Sequence, residues 1–177
     1  FARDNEFELI KHDNTSATYR FKDNEETLKK YPFKFELTIK YTLINNIIKI
    51  EWTVKNKNDK VMSFSIGAHP AFNLKEGDNF FKFDTNNDIV YNLIDENGLY
   101  DKNSVHSLVN DGYVKITEDM FDNDALIIEN SQAKEVTICD KNKSAYLKVV
   151  FDTELFGLWS PAKKRAPFVC IEPWYGR

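Results

Sequence analysis

From Phe33 the chain alternates between apolar and polar residues. Phe33, Phe35, Leu37, Ile39, Tyr41 and Leu43 hold the odd positions, and Lys34, Glu36, Thr38, Lys40 and Thr42 the even ones. A period of two sends successive side chains to opposite faces of a strand, so the run predicts a long, half-buried β-strand. Asn45–Asn46 follows, and asparagine tolerates the positive φ that tight hairpin turns need. The alternation then resumes, with Ile48, Ile50, Trp52 and Val54 inward and Lys49, Glu51, Thr53 and Lys55 outward. The two runs predict an antiparallel hairpin that pairs Phe33–Leu43 with Ile47–Lys55.

Further apolar runs at short intervals predict strands over Glu6–Lys11, Thr15–Phe21, Met62–Ile66, Phe80–Phe83, Val90–Ile94, Tyr113–Ile116, Ala125–Ile128, Glu135–Cys139, Ala145–Phe151, Phe156–Trp159 and Phe168–Ile171. The segments between them, such as Asn56–Lys60 and Asp140–Lys143, are rich in turn-forming Asn, Asp and Lys. Helix is scarce. Glu25–Lys30 suits one or two turns, capped by Asn24 or Asp23 and stopped by Pro32. Many strands joined by short polar turns predict an all-β, antiparallel sandwich or barrel. A length of 177 residues suits one sizeable core, hence a single domain over 1–177.

Composition narrows the function. Apolar residues make up 42% and charged residues 29%, the balance of a globular protein rather than a disordered tail. A net charge of −4 argues against nucleic-acid binding, which needs clustered cations. The densest basic stretch, Lys163–Lys164–Arg165, lies between Pro161 and Pro167 and reads as a solvated loop. No apolar run approaches the roughly 20 residues of a membrane helix. Cys139 and Cys170 fall inside apolar runs and read as buried free thiols of a cytoplasmic protein rather than a disulfide. The three histidines have no zinc-type spacing to cysteine, so no metal site is expected.

Three segments put polar side chains where the pattern gives no reason for them. In Ser65–Ile66–Gly67–Ala68–His69–Pro70–Ala71–Phe72–Asn73 a histidine stands among small and apolar residues at a strand end, with Gly67 permitting close backbone approach. It is either a histidine bonded to backbone or a proton donor. In Phe168–Val169–Cys170–Ile171–Glu172–Pro173–Trp174–Tyr175–Gly176 a carboxylate follows four apolar residues. Burial would raise its pKa toward the value a general base needs, whereas a strand-end glutamate turned to solvent would have no such role. Trp174 and Tyr175 are either core residues or a wall for the apolar face of a sugar. Asp124 directly precedes an apolar strand and is either a turn aspartate, which is common at such positions, or a functional side chain. His12 and His106 lie in polar surroundings and receive no role.

Together these segments resemble the aldose 1-epimerase (galactose mutarotase) family, in particular its bacterial LacX-like branch. Ile66–Gly67–Ala68–His69–Pro70–Ala71–Phe72–Asn73 is similar to that branch's catalytic-histidine motif, and Cys170–Ile171–Glu172–Pro173–Trp174 to its catalytic-glutamate motif. Asp124–Ala125–Leu126–Ile127 is similar to its sugar-binding aspartate segment, and Phe1–Ala2–Arg3–Asp4 to the tail of a His-Gly-Phe-Ala-Arg motif. The resemblance implies a galactose mutarotase-like antiparallel β-supersandwich and a cofactor-free interconversion of the anomers of a hexose. In it Glu172 is the base and His69 the acid, while Asp124, Arg3, Phe72 and Trp174 hold the sugar. The family's second histidine would stand immediately before Phe1, so the resemblance also implies an internal portion of a longer domain, with apolar faces left open. Two rivals take other residues. A glycoside hydrolase or lyase would pair Glu172 with Asp124. A carbohydrate-binding module would grip sugar with Trp174, Tyr175, Phe72 and Asp124.

Overall fold

The computed structural model describes residues 2–177. Phe1, the first residue of the arginine motif, lies outside the described residues. The chain divides into two compact units, Phe1–Ser63 and Phe64–Arg177.

The first unit is one antiparallel sheet, ordered β1 (Glu8–His12), β2 (Ser16–Lys22), β3 (Phe35–Ile44) and β4 (Ile47–Asn56). The expected hairpin forms in the expected register, with Ile39 opposite Trp52, Tyr41 opposite Ile50 and Leu43 opposite Ile48. Asn45 takes a φ of 55° in its turn. One short helix, α1 (Glu25–Lys30), links β2 to β3. Asn24 caps it: the Thr27 N–H donates to Asn24 Oδ1, and the Asn24 N–H donates to Thr27 Oγ1. Phe35 and Leu37 are buried, as the alternation predicts, but the turn half of the same face is open, with Ile48 68% exposed. Alternation reports which side chains share a face and is silent on what covers them.

The second unit is a sandwich of two antiparallel sheets. Its strands are β5 (Ile66–Gly67), β6 (Ala71–Asn73), β7 (Phe80–Phe83), β8 (Ile89–Ile94), β9 (Tyr100–Leu108), β10 (Val114–Lys115), β11 (Leu126–Ile128), β12 (Glu135–Cys139), β13 (Ala145–Val150), β14 (Leu155–Trp159) and β15 (Phe168–Tyr175). One sheet runs β10-β7-β12-β13. The other runs β5-β15-β14-β11-β8-β9, with β6 also paired to β15. Phe81, Phe83, Val136 and Ile138 of the first sheet meet Leu126, Ile128, Phe156, Leu158, Val169 and Ile171 of the second in one buried core. Cys139 and Cys170 are buried free thiols.

Three strands depart from the sequence reading. Met62–Ile66 is not a strand; only Ile66 pairs, in β5, while Met62 is buried without strand pairing. β9, polar along most of its length, is absent from the strands that the pattern predicts. It is an edge strand with most side chains open to solvent, so it needs no apolar period. β15 does not stop at Ile171 but continues through Pro173 to Tyr175, which places Glu172 inside a strand rather than at its end. Lys163, Lys164 and Arg165 form an exposed turn, with Arg165 paired to Glu118. No helix of the described residues is long and apolar enough to cross a membrane.

Candidate active site

Strand alternation splits β15 between two surroundings. Val169 and Ile171 enter the core, so Cys170, Glu172 and Trp174 share the opposite face. On β14 the core takes Phe156 and Leu158, which leaves Leu155, Gly157 and Trp159 beside them, and on β11 Ile127 joins the same side. The register then fixes neighbours: Trp159 faces Cys170, Gly157 faces Glu172, and Leu155 faces Trp174.

Glu172 is 5% exposed, which is unusual for a carboxylate. His69, carried just beyond β5, places Nδ1 at 3.1 Å from Glu172 Oε1. The segment that carries His69 is tied to β15, since the Ala68 N–H donates to the Pro173 carbonyl at 3.2 Å. The imidazole meets the Trp159 indole edge to face, at 5.1 Å between ring centroids and 86° between planes. The histidine side chain is 56% exposed, so the pair joins a buried carboxylate to a ring open to solvent.

Burial raises the Glu172 carboxyl from its ordinary 4.5 to about 7, and the negative charge of Asp124 pushes in the same direction. A side-chain hydrogen bond from Trp174 pulls it the other way. Asp124 precedes β11 with a φ of 72°, an uncommon conformation for a residue with a side chain, and its Oδ1 accepts the Ala125 N–H at 2.7 Å. The Trp174 indole fits because two neighbours lack a Cβ. A side chain on Gly67 would meet the ring at 2.4 Å, and one on Gly157 would meet it at 2.8 Å. Cys170 lies beside the same carboxyl; burial first, and then Glu172, push its thiol up to about 11.

The structure therefore brings His69, Glu172, Asp124 and Trp174 into one neighbourhood. Phe72 is a correction. It stands opposite Val169 in the β6–β15 pairing, so it packs against the core and not beside Glu172. Arg3 lies in a 3₁₀ turn, Ala2–Asp4, of the first unit, exposed and with Nε 3.1 Å from Asp4 Oδ1. Tyr175 donates its hydroxyl proton to Asp152. Sequence reading gives no role to Trp159, Gly157 or Cys170, which depend on the pairing of strands far apart in the chain. It also finds no metal-type spacing, yet donor atoms of His69, Cys170 and Glu172 lie within 4.8 Å of one another.

The aldose 1-epimerase family model matches residues 1–176. Protein LacX of Lactococcus lactis, in chromosomal and plasmid forms, is 32% identical over 186 residues, covering 99% of this chain and 62% of LacX. A galactose mutarotase related enzyme from Lactobacillus acidophilus superposes with a TM-score of 0.90 at 34% identity, over 99% of this chain and 61% of that one. A galactose mutarotase-like protein from Lactobacillus casei gives a TM-score of 0.88 at 27% identity, over 99% and 63%. The chain spans about 62% of the length of the curated relatives it matches.

Proposed function

The chain belongs to the aldose 1-epimerase family, and from that premise we propose that it serves a mutarotase, interconverting the α and β anomers of an unphosphorylated aldohexose. Glu172 takes the proton of the C1 hydroxyl while His69 gives a proton to the ring oxygen. The C1–O5 bond breaks and an open-chain aldehyde forms. Rotation about C1–C2 presents the other carbonyl face to the C5 hydroxyl. Closure then returns both protons, His69 accepting and Glu172 donating, so each group ends as it began. Only protons move, and the reaction calls for no redox equivalent and no nucleotide. Asp124 holds sugar hydroxyls, and Trp174 lines the apolar face of the ring. The reading treats 1–177 as part of one galactose mutarotase-like domain of a cytoplasmic protein, supported by a family match that runs along nearly all of it.

One observation carries this reading: the 3.1 Å approach of His69 Nδ1 to a buried Glu172 whose pKa stands at about 7. The C1 hydroxyl and the ring oxygen are bonded to one carbon, so the acid and the base must sit side by side. A carboxyl titrating near neutrality can accept and return a proton with little energetic bias. The test is anomer exchange of glucose and galactose, followed by NMR on the full-length protein. Exchange no faster than the spontaneous rate overturns the proposal. A carbohydrate-binding module would instead keep its sugar affinity when Glu172→Gln is introduced and would show no turnover to lose.

A further inference from the structure

We infer that His69, Cys170 and Glu172 form a binding site for a zinc-type divalent cation. The three residues supply one imidazole nitrogen, one sulfur and one carboxylate oxygen, all within 4.8 Å of one another. Zinc accepts this mixture of donors at about 2.0–2.3 Å, and tetrahedral angles then set its ligand atoms about 3.3–3.5 Å apart. His69 Nδ1 and Glu172 Oε1 already stand at 3.1 Å. Donors that lie within 4.8 Å of one another need to close by about 1.5 Å at most to reach that spacing. Two of the three ligands come from one strand, where Cys170 and Glu172 alternate onto the same face, so their spacing is built into the sheet. The local field points the same way: Asp124 acts on Glu172 as a like charge, and a bound dication relieves that repulsion. Three protein ligands leave a fourth position open to solvent, as in zinc sites that keep an exchangeable water. The thiol gives preference to zinc, cobalt or cadmium over magnesium and calcium, which favour oxygen.

Such an ion would occupy both proton-transfer groups at once, so bound zinc inhibits. That consequence, unlike the binding itself, rests on the mutarotase reading above. Binding is therefore tested without sugar. Cobalt titrated into the full-length protein should give one equivalent of a near-ultraviolet thiolate-to-cobalt charge-transfer band, displaced by zinc and not by magnesium. Cys170→Ala should abolish the band, while Cys139→Ala, which removes the other buried thiol, should leave it. His69→Ala, at an exposed side chain that carries little folding risk, should weaken cobalt binding about tenfold or more, the scale on which even supporting shells act. Absence of the band in wild type, its survival in Cys170→Ala, or unchanged affinity in His69→Ala overturns the inference. None of these outcomes bears on sugar turnover, so this site and the mutarotase reading can fail separately.

Discussion

Gly157 faces Glu172 across the β14–β15 pairing, and the six-membered ring of Trp174 lies over the place where a Gly157 side chain would project. Trp174 also acts on the Glu172 carboxyl, lowering its pKa, so one missing methyl group lets the indole lean from β15 over β14 beside that carboxyl. Gly67 performs the same service from the other side, opposite Trp174 in the β5–β15 pairing. The wall of the site is thus shaped by what two positions lack.

Gly157→Ala should displace Trp174, because its Cβ would stand 2.8 Å from the ring and 3.6 Å from Glu172 Cβ. Overpacking of this kind costs about 1–3 kcal/mol. Tryptophan fluorescence should change and the melting temperature should fall. A variant with wild-type emission and wild-type melting would show that the indole does not rest where the structure puts it.

Glu172→Gln should lower turnover roughly 10²–10⁴-fold while sugar binding survives, the usual worth of a positioned base. In the wild type kcat/KM should rise with pH through about 7, as the carboxyl ionises. His69→Asn should also reduce turnover, by a smaller factor where water takes over protonation of the ring oxygen. Anomer exchange, corrected for the spontaneous rate, reads all three. Wild-type rates in Glu172→Gln would remove the base from the mechanism.

Much of the fold is legible in the residues alone. The alternation on both sides of Asn45 determines both the pairing and the register of the β3–β4 hairpin, because a slip of one residue would turn every side chain over. Cys170, Glu172 and Trp174, two apart, announce a common strand face once β15 is known to run to Tyr175. What stays hidden depends on register between distant strands. Trp159 reaches His69 because it lies opposite Cys170, eleven residues along the chain, and nothing near Trp159 itself signals this. Phe72 misleads for the converse reason. Its closeness in sequence to His69 suggests a shared site, but one step along β6 separates the two faces of a sheet.

Asp124→Asn and Trp174→Phe should move the pH profile in opposite directions. Asp124 raises the Glu172 pKa by charge, so the amide should shift the rise in kcat/KM to lower pH. Asparagine tolerates the positive φ of this position, so the fold should survive. Trp174→Phe removes the hydrogen bond that lowers the same pKa and should shift the profile to higher pH. Shifts of the same sign in both variants would contradict the electrostatics described above.

The final prediction concerns stability, where the same carboxyl acts against the fold. Its folded pKa of about 7 exceeds its ordinary 4.5, so between these values the native state holds a proton that the unfolded state has released. Stability on this account is complete below pH about 4.5 and is lost as pH rises through about 7. At about 1.4 kcal/mol for each pH unit between the two values, the loss is on the order of 3 kcal/mol. Glu172→Gln cannot ionise and should escape it, so the variant should gain on wild type from about pH 4.5 to about pH 7 and hold a constant lead above that. Urea unfolding at a series of pH values, followed by tryptophan emission, measures that difference. A constant gap between the two proteins across the range would mean that Glu172 is not the buried, proton-holding carboxyl described here. If the gap opens as expected, the deprotonation that arms the base is also the one that weakens the fold.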